Sequence, residues 1–142
     1  YDYTIVLHRK NPDVGVTEPG ALTANRTSAR YFDVLRNHGV EHCCVVFPGM
    51  PPLAEQFRRS GGVNRQALIV RWMLGHGLRY EEARQRFMPF DRLAAPDVAT
   101  REMLAEMIRS VEVPRLVIVN NKAEGSSPLS LRALVQSIVF GP

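Results

Sequence analysis

Short apolar runs alternating with helical patterns constrain this chain more than any other feature. Residues 3–9 (YTIVLHR), 40–47 (VEHCCVVF) and 116–119 (LVIV) are each too short for an ordinary helix and are rich in β-branched residues, as strands buried on both faces are. A fourth run, residues 65–74 (RQALIVRWML), reads as strand or helix by periodicity alone. Between the runs lie amphipathic segments with their own start and stop signals. Residues 28–39 (SARYFDVLRNHG) place Tyr31, Phe32 and Leu35 on one face, with Ser28 as N-cap and Gly39 as stop. Residues 78–88 space Tyr80, Ala83 and Phe87 three or four apart, and Pro89 ends them. Asp97 caps a third helix over residues 98–111, with Val98, Met103, Met107 and Ile108 expected inward and Pro114 beyond its end. The last helix begins near Pro128, a residue suited to a first helical turn.

Residues 10–25 read as a loop rich in Pro, Gly, Asp and Thr, and residues 48–62 as a loop with one helical turn around Leu53 to Phe57. Strands separated by helices predict an α/β chain with a parallel sheet. At 142 residues one domain is expected. The chain opens on Tyr1 rather than Met, so it is expected to be a piece of something longer.

No apolar run approaches the roughly 18 to 20 residues that cross a bilayer, so no membrane partner is expected. Cys43 and Cys44 are adjacent and point to opposite faces of a strand, which disfavours a mutual disulfide. With no sign of an oxidising compartment, the cytoplasm is the expected location. The net charge of +4 comes almost entirely from arginine, since Lys10 and Lys122 are the only lysines. Arginine suits planar contact with phosphate and carboxylate, so a small anionic ligand or nucleic acid is the expected class of partner.

Ligands of parallel α/β folds sit at the carboxyl ends of the strands. Arg71 lies inside the apolar run of residues 67–72. There a charge is costly unless it meets an opposite charge or a ligand. Asn120 and Asn121 end the strand at residues 116–119. Each amide can orient a polar ligand or make turn chemistry, and neighbours point different ways, so one of the two is expected to face a site. His38 and His42 have the spacing of helical metal ligands, but Gly39 and Val40 interrupt the helix, so no metal is assigned. No G-x-G-x-x-G, phosphate-loop or G-x-S-x-G pattern occurs, and the cofactor stays unassigned. Read as helix, turn and helix, residues 65–87 would instead resemble a DNA-binding helix-turn-helix with Arg65, Arg71, Arg79, Arg84 and Arg86 available to phosphates.

Five blocks together resemble the C-terminal part of the DUF72 (YecE-like) family: IVLHRKNPD, YFDVLRNHGVEHCCVVFPGMPPL, ALIVRWML, YEEARQRFMPFDRL and VIVNNKAEGSSPLSLRALV. The resemblance covers nearly the whole chain, and its last block is the most specific. It implies a TIM-type barrel of the xylose isomerase and endonuclease IV kind, for which a family activity is not established. It also implies that the fourth run is a strand carrying Arg71 and that Arg9 follows the first strand. By fold analogy the reaction class is hydrolysis or phosphodiester chemistry. The chain departs from the family at Leu7, where many members have Glu, and at Ser126 and Ser127, where small residues and His are usual. The missing carboxylate weakens any acid–base proposal at the first strand. A full barrel needs about 250 residues, so a partial barrel of about half is expected, with the remaining half supplied by the same or another chain. The expected ligand-binding residues are Arg9, Arg71, Asn120 and Asn121. The alternatives are nucleic-acid binding without catalysis and a structural half-barrel that lacks a site.

Overall fold

The computed structural model describes residues 29–61, 66–75 and 77–141. Among the described residues three strands, β1 (Cys43–Val46), β2 (Leu68–Trp72) and β3 (Arg115–Val119), form one parallel sheet in the order β1-β2-β3. Five described helices accompany them: α1 (Ala29–Asn37), α2 (Leu53–Arg59), α3 (Tyr80–Phe87), α4 (Val98–Arg109) and α5 (Ser127–Phe140). The α/β class and the parallel sheet expected from the sequence are therefore present. The run at residues 65–74 resolves as β2, hydrogen-bonded on both sides, so the helix-turn-helix reading of that segment is not formed. The first apolar run with Leu7 and Arg9, the loop with Lys10, and Ser28 lie outside the described residues.

Register divides the sheet into two unlike faces. Cys44 pairs with Val70 and Val46 with Trp72, and Val70 and Trp72 pair in turn with Val117 and Val119. Paired residues share a face, and this one is covered. Trp72, Val70 and Leu68 are almost wholly buried there with Leu53 of α2, Leu104, Ala105 and Met107 of α4, and Leu134 of α5. The opposite face carries Cys43, Val45, Ile69, Arg71, Leu116 and Ile118. It is less covered, and Ile118 is 40% exposed. β1 is shorter than the predicted residues 40–47 and alternates in burial rather than being buried throughout. β3 was expected as a buried strand, but its pattern is mostly half-exposed because it lies at an edge of the sheet.

The two sheet edges are treated differently. The carbonyl of Val46 accepts from Met73 N–H, so Val46 faces β2 and the backbone groups of Val45 face outward. The fully buried Gln56 side chain takes both: its Oε1 accepts from Val45 N–H at 2.9 Å and its Nε2 donates to the Val45 carbonyl at 2.8 Å. The same Nε2 donates to the Pro51 carbonyl at 2.6 Å. One amide thus stands in for a neighbouring strand at β1 and blunts that edge. At β3, Asn120 N–H donates to the Trp72 carbonyl. Val119 and Val117 therefore direct their backbone groups outward, and among the described residues the Val119 carbonyl is held there by Ser127 Oγ at 2.6 Å.

Helix ends follow the sequence signals closely. Gly39 has a φ of +63°, the left-handed value that terminates α1. The Asp97 carboxylate accepts from Thr100 N–H at 3.0 Å and Thr100 Oγ1 at 2.7 Å, capping α4. Two expectations fail. Val98, the first residue of α4, is 53% exposed, and Leu104 takes the central buried position instead. The single turn expected near Leu53 is a helix of seven residues, since Leu53 and Gln56 both anchor it on β1. Among the described residues no helix is long and apolar enough to cross a membrane.

Candidate functional site at the carboxyl ends of the strands

Arg71 is the penultimate residue of β2 and projects from the less covered face, beside Val45 and Ile118 in register. It is half-buried and forms no ion pair among the described residues. Its charge is felt at Cys43: burial pushes the Cys43 thiol up, and Arg71 acts against that rise. Cys44, on the covered face, is pushed up to about 12 by burial and by its neighbour Cys43, so its thiol stays protonated. Neither cysteine forms a disulfide.

Strand alternation separates the two amides. Ile118 lies on the Arg71 face, and Asn120, two residues on, continues that side. Asn121 turns to the helical side, where its Oδ1 accepts from Ser127 N–H at 2.8 Å and satisfies one free donor at the start of α5. Asn120 Oδ1 accepts from Lys122 N–H at 2.9 Å, an Asx turn that ends the strand. Both oxygens therefore have structural tasks. Arg9 lies outside the described residues.

The loop that follows holds a residue that the sequence reading passed over. Glu124 is fully buried. Its Oε1 accepts from Asp97 N–H at 2.6 Å and lies 3.1 Å from Arg101 Nε, itself largely buried. The Arg101 contact is electrostatic rather than an aligned hydrogen bond, and Glu124 Oε2 has no hydrogen-bond partner among the described residues. The Glu124 carbonyl also accepts from Ala95 N–H at 2.9 Å. Gly125 beside it has a φ of +119°, and a Cβ there would stand 2.5 Å from the Arg92 carbonyl oxygen, so only glycine fits. Lys122 places its ammonium 4.1 Å from the centre of the Tyr80 ring, tying the loop to α3. The loop is thus clamped from both sides before α5 begins.

Two cavities open at this end of the sheet. One of about 290 Å³ is lined by Phe47, Met50, Thr100 and Met103 among others. The second, about 240 Å³, is lined by Gly75, Leu78, Arg86, Asp97 and Ala123 among others. Another cavity, about 360 Å³, lies at the amino ends, where Arg36, Glu41 and His42 contribute. His42 is buried with its ring edge-on to Phe32 and Tyr31, while His38 is exposed at the end of α1, so the two imidazoles have different surroundings. No protein-family model, curated protein or solved structure matches the chain.

Proposed function

We propose that the chain binds an anionic, phosphate- or carboxylate-bearing ligand at the carboxyl ends of its strands, with Arg71 as the principal contact. The observation that carries this reading is the position of Arg71 on an otherwise apolar sheet face, without an ionic partner among the described residues. A guanidinium held in that setting gains from a bidentate anion far more than an exposed arginine does. Asn120 adds an amide donor on the same side. Asn121, committed to the start of α5, supports the loop that carries Asn120. Arg9 is the second cation on this reading, by its place after the first apolar run. The same reading takes the three strands, in sequence order with helices on one face, as an arc of a TIM-type barrel like that of the DUF72 family. Glu124 is engaged by Arg101 and Asp97 N–H, so binding is favoured over acid–base chemistry.

Inorganic phosphate tests the proposal by thermal unfolding at matched ionic strength. Phosphate raises the unfolding midpoint of the wild type, and ligand at a hundredfold excess over its Kd stabilises by about 2.7 kcal/mol. Arg71→Ala abolishes the rise and Arg71→Lys keeps part of it. An Arg71→Ala protein protected as well as the wild type rules the proposal out.

A further inference from the structure

The loop between β3 and α5, residues 120–126, is tied to three other parts of the chain. At its start Asn120 N–H donates to the carbonyl of Trp72, the neighbour of Arg71, at 2.8 Å. The Lys122 carbonyl accepts from Gly75 N–H at 3.3 Å. At its end Asn121 Oδ1 holds Ser127 of α5. Between these points the loop turns back on itself. Ala123 N–H donates to the Asn120 carbonyl at 2.9 Å, and Gly125 N–H donates to the Asn121 carbonyl at 2.8 Å. Both neighbours of Glu124 are thus bonded to the two asparagines, so a displacement at residue 124 is passed to them.

Glu124 is where this loop meets the start of α4. Its carbonyl accepts from Ala95 N–H at 2.9 Å, and its Oε1 accepts from Asp97 N–H at 2.6 Å. The same oxygen lies 3.1 Å from Arg101 Nε. The carboxylate is wholly buried and the Arg101 side chain nearly so, and water does little to screen them. α4 gives the pair a fixed reference, because Leu104 and Met107 lie in the core beneath the sheet. A loop that only had to join β3 to α5 could use solvated side chains. Taking a carboxylate out of water is offset only where its partners are held closely.

We infer that Glu124 is a positioning residue for the anion site: with Arg101 and Asp97 N–H it fixes the loop to α4, and the loop fixes the Asn120 amide. This role presupposes that Arg71 and Asn120 bind an anion, as proposed for the site. The register of β2 against β3 places Ile118 beside Arg71. Asn120 stands one residue past the end of β3, where the ladder no longer orients a side chain. There its Oδ1 accepts from Lys122 N–H at 2.9 Å, so the position of residue 122 sets the rotation of the amide. Residue 122 is held in turn between Gly75 and the turn that runs through Glu124. Glu124 neither touches the ligand nor moves a proton in this role. Its effect reaches the anion through Asn120, and a loop that drifts from α4 costs the anion the Asn120 hydrogen bond while leaving Arg71 in place on β2.

Titration of residues 1–142 with inorganic phosphate at constant ionic strength tests the inference, with the Kd read from the Arg71 Nε–H signal by nuclear magnetic resonance. Asn120→Ala removes one neutral hydrogen bond and weakens binding about fivefold. Glu124→Ala weakens it by about the same factor, and Glu124→Gln, which keeps an acceptor for Asp97 N–H, falls between that variant and the wild type. Adding Glu124→Gln to Asn120→Ala weakens binding no further, because both act through one amide. Met107→Ala is the control: it opens the core at the other end of α4, lowers stability and leaves the Kd unchanged. Glu124 variants that bind like the wild type overturn the inference. So do losses that add in the double variant, and so does a loss in Met107→Ala as large as that in Glu124→Ala. Should Glu124→Ala fail to fold, Glu124→Gln decides, and an unchanged Kd there overturns the role. A wild type that binds no phosphate overturns the anion site and this role with it, whereas a wild type that binds while the Glu124 variants match it overturns the role alone.

Discussion

Asn120 and Asn121 stand side by side, yet the polypeptide uses them on opposite sides of the sheet. Asn120 closes a turn on Lys122, and Asn121 holds the first turn of α5 through Ser127. Sequence reasoning could foresee that adjacent residues diverge, because alternation is fixed in a strand. It could not foresee which hydrogen bonds they make, since Ser127 lies six residues away in a loop of undefined path. Glu124 was invisible for a related reason. A single glutamate in a polar loop reads as solvated, and its partner Arg101 is brought to it only by the packing of α4 against α5. The signal available was the Glu124-Gly125 pair itself, since a glycine with a forced φ marks a loop pressed against its neighbours. Glu124→Ala strands Arg101 in a largely buried site. The expected loss, read from urea unfolding, is about 3–5 kcal/mol, and a loss under about 1 kcal/mol would count against the pair. His42 supplies a pH test. Burial holds its imidazole below the ordinary 6.5. Its contribution is complete above that value and declines as the pH falls through it, because the unfolded chain then takes a proton that the folded ring resists. The unfolding midpoint should fall between about pH 7.5 and about pH 5.5. His42→Phe should flatten that slope, and parallel slopes would remove His42 as the cause.

At the scale of elements, periodicity and capping residues located the described helices well, and Asp97 and Gly39 set boundaries through local chemistry that needs no tertiary knowledge, while α4 stops at Arg109, short of the expected residue 111. What local chemistry could not supply was the identity of the edges. β3 is as apolar in sequence as a central strand, and only the strand order makes it an edge. The same limit hid Gln56, which the sequence places in an unremarkable turn and the fold places on Val45. Gln56→Leu keeps much of the volume but leaves Val45 N–H and both accepting carbonyls without the amide. Buried groups left unsatisfied cost about 1–3 kcal/mol each, so a loss on the order of 3 kcal/mol is expected by chemical denaturation. A neutral substitution would show that water or backbone movement replaces the amide.

For the molecule as a whole, one face of the sheet supports the core and the other presents a cation among apolar side chains. Burial explains the first face: Trp72, Val70 and Leu68 meet α2, α4 and α5 there. The second face has Arg71 near its carboxyl end and Asn120 on the same side, and that placement joins fold to proposed function. Arg71 was legible in the sequence because a charge inside an apolar run is conspicuous. Its relation to Asn120 required the register of β2 against β3. The most direct test follows the Arg71 side chain itself by nuclear magnetic resonance during titration with inorganic phosphate. A saturable shift of the Arg71 Nε–H signal, accompanied by the Asn120 side-chain amide and absent with chloride at equal ionic strength, is the expected result. Signals at Arg71 and Asn120 that stay fixed while phosphate moves exposed arginines elsewhere would contradict the site.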